Sequence, residues 1–305
     1  MKVWIPHEHG RAAMEPIPDG VELEVYDGDG DFPSSPSDVE FWVPPFMSKR
    51  VSSARLDLMP GLKVIQLLSA GADAWIAGVG ESVTLCDAMG VHTAATSEWA
   101  VSAMLASLRG FDRYARNQSR RLWQPVPTDT LEGKRVLIVG AGDIGAAIAT
   151  RVEAFGARPV MVARRARTGV HAVAELPQLL PDADIVVLIV PLTEATRGMV
   201  DATFLAAMPD GAMLVNAARG PVVDTAALTE EVRGGRLRAA LDVTDPEPLP
   251  EDHPLWTLEN VLITPHVGGA AAVPGFLDKG YALVGRQLRR YAAGEGLDNV
   301  VSEGY

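Results

Sequence analysis

The sequence predicts an α/β protein built on a doubly wound parallel sheet, with a second, smaller α/β unit ahead of it. Three observations carry this expectation. From residue 131 onward the short apolar runs "RVLIVG", "RPVMVA", "DIVVLIV", "AMLVNAA", "LRAALDV" and "NVLITPH" recur without polar alternation. A strand covered on both faces has this composition, and parallel sheets between helical layers are covered on both faces. Between these runs lie "AAIATRVEAFG", "VAELPQLLPD", "DATFLAAMPD" and "TAALTEEVRGG", Ala- and Leu-rich stretches of which several end in Gly or meet Pro, as crossover helices do. A shorter series, "KVWIP", "VEFWVP", "KVIQLLSAG" and "VTLCD", precedes residue 96 and supplies the strands of the smaller unit.

The remaining elements follow in order. The span from Asp27 to Asp38, rich in Asp, Gly, Pro and Ser, predicts an exposed loop. "TSEWAVSAMLASLRGFDRYARN" predicts one long helix joining the units, capped by Thr96 or Ser97, with Glu98 placed in the first turn where a carboxylate favours the dipole. "VPGFLDKGYALVGRQLRRYAAGEG" predicts a closing helix with Pro274 in its first turn, returning to the first unit. The domain division expected is residues 1–96 with 271–305, and residues 97–270.

The totals bound the class of protein. A chain of 305 residues with 48% hydrophobic content can close two cores. A net charge of −12 argues against a general nucleic-acid binder, because phosphate contacts need a basic surface. No run of eighteen uncharged apolar residues is present, and "MKVWIPHEHGR" lacks a secretory stretch, so a soluble cytoplasmic protein with no membrane contact is expected. The one cysteine, Cys86, cannot form an internal disulfide. Residues 131–170 are locally positive, with seven Lys and Arg against Glu132, Asp143 and Glu153. A small anionic ligand explains that patch, as does chance clustering.

"RVLIVGAGDIGAAIATRVEAFG" places Gly140, Gly142 and Gly145 between a strand and a helix. This is the arrangement a dinucleotide pyrophosphate requires: one glycine for the tight turn, one for backbone approach to phosphate, one for close packing of helix on strand, with the helix N-terminus facing the anion. A purely structural glycine turn is the alternative. The next strand, "RPVMVA", ends at Ala163, eighteen residues beyond Gly145, where an acid normally binds the ribose hydroxyls. Arg164 and Arg165 follow instead. A guanidinium binds an added 2′-phosphate through paired charge-assisted hydrogen bonds, so NADP(H) is the preferred cofactor and NAD(H) a possible one. The other explanation is an exposed basic turn, and Arg167 is the member for which either a place in the clamp or plain exposure to solvent is open.

The motifs "LIVGAGDIG", "PLTEAT", "LVNAARGPVVDTAAL", "ALDVTDPEPLPEDHPLW" and "NVLITPHVGG" together resemble the D-isomer-specific 2-hydroxyacid dehydrogenases, nearest the glyoxylate and hydroxypyruvate reductase branch. The resemblance implies a Rossmann-type nucleotide domain beside a flavodoxin-like substrate domain, and a homodimer formed through the nucleotide domains with the 97–116 helix contributing. It also implies a small 2-oxo or 2-hydroxy acid as substrate. The residues fit that chemistry. Arg219, just past a strand, can anchor a carboxylate and polarise a carbonyl. His266 can donate a proton, since imidazole ordinarily titrates near pH 6.5. Glu247 in "DPEP" would orient the ring and favour its protonated form. Singly, each has an ordinary structural explanation as a surface ion pair, a loop charge or a satisfied core histidine.

Further roles come from the resemblance. Asp242 is expected near the nicotinamide carboxamide, and Pro191 and Thr196 beside the cofactor ribose and phosphates. Asp143, Ile144 and Ala217 are further cofactor candidates. Backbone amides of Ala70 and Gly71, in "LLSAGAD", would bind the substrate carboxylate, with Trp42 and Pro44 as pocket walls, although a Trp on a strand is more often core. His7 and His9 are expected on an exposed loop with no metal, and His92, His171 and His253 as structural residues. Two departures stand out: Ala271 occupies a position where the family usually has threonine, and Thr225 stands where "VDE" is common. A nucleotide-sensing, corepressor-like binding protein on the same scaffold is the alternative from another class.

Overall fold

The computed structural model describes residues 1–46, 53–269, 271 and 273–301. The chain forms two compact units, Met1–His92 with the segment from Ala270 onward, and Thr93–Gly269. In the first, strands β1 (Lys2–Ile5), β2 (Glu22–Val25), β3 (Val39–Trp42), β4 (Val64–Gln66) and β5 (Thr84–Cys86) form an all-parallel sheet in the order β2-β1-β3-β4-β5. Two short helices, α1 (His9–Ala13) and α2 (Asp73–Ile76), and the C-terminal helix Phe276–Ala292 complete it. One face packs Trp4, Tyr26, Trp42, Ile65 and Leu67 into a core. Two glutamines are buried with that core because each is satisfied: Gln287 Nε2 donates to Gln66 Oε1 at 3.0 Å and to the Asp298 carbonyl, while Gln66 Nε2 donates to the Leu67 and Asp87 carbonyls.

The second unit is a seven-stranded parallel sheet: β6 (Arg135–Val139), β7 (Arg158–Ala163), β8 (Val170–Ala172), β9 (Ile185–Leu188), β10 (Met213–Asn216), β11 (Arg238–Leu241) and β12 (Val261–Ile263), in the order β12-β11-β10-β9-β6-β7-β8. Helices α3 (Thr93–Arg109), α4 (Phe111–Ser119), α5 (Asp143–Ala154), α6 (Leu176–Leu179), α7 (Ala202–Ala207) and α8 (Thr225–Arg233) accompany it. The apolar runs earn their places: every residue of β9 and β10 is buried. Asp201 and Asp224 cap α7 and α8 by accepting the Phe204 and Ala227 amides. Strand order reverses between β6 and β9, which opens a crevice at their carboxyl ends, where ligands of such sheets collect.

Several elements differ from expectation. The long joining helix begins at Thr93 and breaks at Gly110, whose φ of +63° turns the chain into α4. Thr96 and Ser97 are therefore buried inside α3, and the Ser97 hydroxyl bonds back to the Thr93 carbonyl instead of capping. Pro274 precedes the C-terminal helix, which starts at Phe276 after Gly275 at φ +79°. The stretch 173–182 gives one turn of α6 between two 3₁₀ turns. Strands β2 and β8 had no apolar run to mark them: β8 has no buried residue and β2 buries only Leu23. The 27–38 loop sends Phe32 inward to stack on Trp4 at 5.4 Å.

The "HEHG" segment is not a loop throughout. His9 opens α1 and pairs with Asp278 at 2.6 Å, while His7 is half-buried with Nδ1 2.9 Å from the Tyr281 hydroxyl. Burial, then the neighbouring charge of His9, hold the His7 pKa below the ordinary imidazole value, against a smaller opposing pull from Asp27. A folded-state pKa below the unfolded one means that the unfolded chain binds more protons, so stability present above the ordinary value is lost as pH falls through the folded value. Accordingly, the urea midpoint is expected to drop on acidification through the ordinary imidazole range, and His7→Gln to flatten that drop. An unchanged slope in the variant would remove His7 from the effect.

Candidate active site

The carboxyl edge of the larger sheet is where the site residues gather. The glycines after β6 differ in what requires them. A Cβ at Gly140, which has φ +126°, would lie 2.3 Å from the Ile189 carbonyl oxygen, and one at Gly145 would lie 1.9 Å from the Gly140 oxygen. Both positions are closed by backbone contact. Gly142, the residue before α5, faces open space with no atom within 4 Å of an added Cβ, so nothing in the chain's own packing requires glycine there. An uncovered cradle at the start of a twelve-residue helix fits a phosphate that approaches the backbone. Asp143 opens that helix, and its carboxylate accepts the Thr93 hydroxyl. Ile144 is half-buried beside the core of this unit.

Arg164 and Arg165 follow β7 and are exposed. Arg167 does more than face solvent. Its backbone pairs with Val170 in both directions, at 2.9 and 2.8 Å, around Gly169 at φ +74°, and its guanidinium donates to the Ala141 carbonyl at 2.7 Å. The arginine turn is thereby tied to the glycine loop. After β9, the Thr196 hydroxyl donates to the Pro191 carbonyl at 2.6 Å and accepts the Thr193 amide, closing a compact loop with its own polar groups.

Arg219 lies three residues past β10 in extended backbone that leads into a 3₁₀ turn. Asn216, buried at the end of β10, shapes this turn: its amide donates to the Arg219 carbonyl at 3.1 Å and its oxygen accepts the Ala218 amide at 3.0 Å. The guanidinium donates to the Ala218 carbonyl at 2.7 Å. Ala217, half-buried, donates its amide to the Leu188 carbonyl. Gly220 permits a close backbone crossing, since a Cβ there would sit 1.9 Å from the Thr244 oxygen. The Arg219 turn and the loop that carries Glu247 are thus packed backbone to backbone. Thr225 reaches the same loop, with its hydroxyl donating to the Asp245 carbonyl at 2.8 Å.

His266 lies three residues past β12, and its Nδ1 is 2.7 Å from Glu247 Oε1. A hydrogen bond from Nδ1 to the carboxylate sets the ring and leaves Nε2 for a substrate oxygen. The pair is partly exposed, with side chains 27% and 40% accessible, as groups that meet a diffusing substrate need to be. His266 has φ +54°, a backbone conformation rare for a side chain of this kind. Asp242 holds it there: its carbonyl accepts the His266 amide at 2.8 Å, while its carboxylate accepts the amides of Val267 and Gly268 and the Thr264 hydroxyl at 2.9, 2.7 and 2.6 Å.

The other expectations sort differently. Ala70 and Gly71 lie in the loop after β4 of the smaller unit, half-buried, where the Ser69 hydroxyl donates to the Gly71 carbonyl. Trp42 is fully buried against Trp75 and the core of that unit, and Pro44 is buried too, so neither offers a wall to a pocket. That is the core placement expected more often for a Trp on a strand, since the core of a small sheet needs the size of the indole. His92 donates its Nε2–H to the Leu68 carbonyl, His171 pairs with Glu175, and His253 accepts the Leu255 amide. Ala271 is exposed and lies ahead of the C-terminal helix. Among the described residues no cluster of His, Cys, Asp and Glu has the makings of a metal site, and no helix is long and apolar enough to cross a membrane. A cavity of about 620 Å³ lies at the opposite, amino edge of the sheet, beside Lys134, Gly211, Arg238 and Asn260, and contains none of the candidate site residues.

Sequence reasoning did not find Asn216, Thr264 or Trp99, whose indole N–H donates to the Thr264 hydroxyl. Asn216 left one signal, a polar residue ending an otherwise apolar strand.

Comparison with known proteins identifies the family to which this unit belongs. The family model "D-isomer specific 2-hydroxyacid dehydrogenase, NAD binding domain" matches residues 101–268. A glyoxylate reductase of Thermofilum pendens is 34% identical over 239 residues, which is 73% of this chain and 70% of that protein. The glyoxylate/hydroxypyruvate reductase A of Salmonella typhimurium is 34% identical over 223 residues, 68% of this chain and 70% of that one. A D-isomer specific 2-hydroxyacid dehydrogenase of Xanthobacter autotrophicus Py2, solved with NADPH and MES, superposes with a TM-score of 0.85 at 31% identity over the whole of both chains. An NADPH-dependent glyoxylate/hydroxypyruvate reductase of Sinorhizobium meliloti, solved with NADP and sulfate, gives 0.86 at 25% identity over 100% of this chain and 99% of that one. With a nicotinamide-nucleotide domain of this topology and relatives of this similarity, the chain belongs to the D-isomer specific 2-hydroxyacid dehydrogenases, a family of oxidoreductases, in the glyoxylate/hydroxypyruvate reductase branch.

Proposed function

We propose that the chain is an NADPH-dependent reductase of small 2-oxo acids of the glyoxylate and hydroxypyruvate kind, giving the D-2-hydroxy acid. The observation that carries this reading is the 2.7 Å contact between His266 Nδ1 and Glu247 Oε1, built on the same sheet edge as Arg219. A nucleotide sensor on this scaffold has no use for a carboxylate-paired imidazole. Bound NADPH would supply the hydride equivalent that reduces the carbonyl carbon. Every other requirement falls to the chain. Arg219 pairs with the substrate carboxylate and draws electron density from the carbonyl, and His266 delivers a proton from Nε2 to the carbonyl oxygen, with Glu247 compensating the imidazolium before transfer. The Ala70 and Gly71 amides are proposed as carboxylate donors.

For the cofactor, Gly140, Gly142, Asp143, Ile144 and Gly145 would hold the pyrophosphate. Arg164 and Arg165 would take the 2′-phosphate, and the support for NADPH over NADH is that a positive turn stands where a carboxylate would serve NADH. Pro191, Thr196 and Ala217 would border the nucleotide, and Asp242 the carboxamide. We also propose a cytoplasmic homodimer formed through the nucleotide domains, supported by the exposed Phe111, Leu122 and Trp123 on and just after α4.

A panel of 2-oxo acids assayed with NADPH and with NADH tests the reading directly, and failure to reduce any of them would overturn it. His266→Ala is expected to lower kcat by at least about a hundredfold with NADPH affinity within about twofold; loss of cofactor binding instead would remove His266 from the chemistry. Arg219→Ala should cost about a hundredfold or more in kcat/KM, measured with glyoxylate, and unchanged kinetics would take it out of the site. Replacing Arg164 and Arg165 together by Gln should weaken NADPH about ten- to a hundredfold, with NADH affected little, as titration of cofactor fluorescence would show; equal losses for both would refute the clamp.

A further inference from the structure

The His266 turn is held from behind by a residue of α3 that no motif marks. Trp99 Nε1 donates to Thr264 Oγ1 at 3.0 Å, and Thr264 Oγ1 lies 2.6 Å from Asp242 Oδ1. The directions are fixed by chemistry. An indole nitrogen only donates and a carboxylate only accepts, so the Thr264 hydroxyl must give its proton to Asp242 and receive the indole N–H on its lone pair. Asp242 is 4% exposed, and the same carboxylate takes the amides of Val267 and Gly268, the two residues after the imidazole. The face of Trp99 also closes on this turn: a Cβ at Gly268 would lie 3.1 Å from the indole Cγ and 2.7 Å from Asp242 Oδ2. The turn that carries His266 is therefore wrapped around one carboxylate, and the orientation of that carboxylate is set by a hydroxyl that Trp99 orients in turn.

We infer that Trp99 and Thr264 are positioning residues for proton delivery, acting through Asp242 on the left-handed backbone of His266. The inference rests on the proposed role of His266. The Asp242 carboxylate accepts three donors and its carbonyl accepts the His266 amide, so that, besides its proposed place at the carboxamide, it holds a strained backbone in a single state. With the Thr264 hydroxyl free to rotate, the carboxylate can turn, the Val267 and Gly268 amides loosen, and the ring samples positions away from Glu247. Trp99 and Thr264 are not among the groups proposed to bind the substrate carboxylate or NADPH, so their loss falls on kcat. A placement error in a reacting group of even a fraction of an ångström is costly in rate.

The experiment pairs Trp99→Phe, which keeps an aromatic ring and removes the N–H, with Thr264→Val, which keeps the shape and removes the hydroxyl, and with Thr264→Ser as the conservative control. Trp99→Phe is expected to lower kcat about three- to tenfold with glyoxylate KM and NADPH affinity within about twofold. Thr264→Val should lower kcat more, Thr264→Ser should restore it to within about twofold of the original, and the Trp99→Phe, Thr264→Val double variant should be no worse than Thr264→Val alone. Additive losses, a loss in KM in place of kcat, or a Ser variant as poor as Val would each overturn the relay. Amide hydrogen exchange at Val267 and Gly268, measured without substrate, supplies a reading independent of turnover. Faster exchange in Thr264→Val supports the relay and unchanged exchange refutes it. An original protein that reduces no 2-oxo acid would refute the proposed function, while the exchange result would still decide the relay.

Discussion

The buried carboxylate of Asp242 is the interaction on which the geometry of the reacting edge depends. Three strands, β10, β11 and β12, deliver Arg219, Glu247 and His266 to that edge, and the parallel register of neighbouring strands puts their ends at one level. Register alone does not fix a side chain on a loop. His266 takes a left-handed backbone that costs free energy, of the order of 1 kcal/mol for a residue other than glycine. Such a conformation persists only where the surroundings over-determine it, and the bonds to Asp242, from backbone and side chain together, do so. Removing that carboxylate would take the acceptor from two amides and a hydroxyl, the Gly268 amide among them being buried.

Close backbone crossings form the second constraint. Gly140, Gly145 and Gly220 each sit where another carbonyl comes within van der Waals contact of the Cα, so the glycine loop, the Arg219 turn and the Glu247 loop are built as a continuous layer of main chain. Of the three glycines after β6 only Gly142 is open, at the point where a phosphate would lie. Arg167 links this layer to the arginine turn through the Ala141 carbonyl. The proposed 2′-phosphate and pyrophosphate positions are consequently not independent: the turn that would meet one is fastened to the loop that would meet the other.

Polar groups inside both units follow one rule. Gln66 with Gln287, Asn216 with the Ala218 and Arg219 backbone, and Asp242 with its amides are buried because each finds partners for its donors and acceptors. In the smaller unit this fastens the C-terminal helix to the sheet. In the larger it shapes the two turns that bear Arg219 and His266. Fold stability and site geometry draw on the same hydrogen bonds.

The sequence alone determined the strands of both sheets wherever burial on two faces forces an unbroken apolar run, from "RVLIV" to "NVLI", and it located the glycine loop, Arg219, Glu247 and His266, since those depend on residue type at a spacing along one chain. It did not reveal β2 and β8, which bury one residue and none and so have no such composition. Only the tertiary structure decided that Trp42 belongs to the core, that the joining helix breaks at Gly110, that Arg167 reaches the glycine loop, and that Trp99 supports a turn 165 residues away in the chain. Apart from the local turn at Gly110, each of these is a contact between segments distant in sequence, and a linear pattern records the period of a face but not what is packed against it.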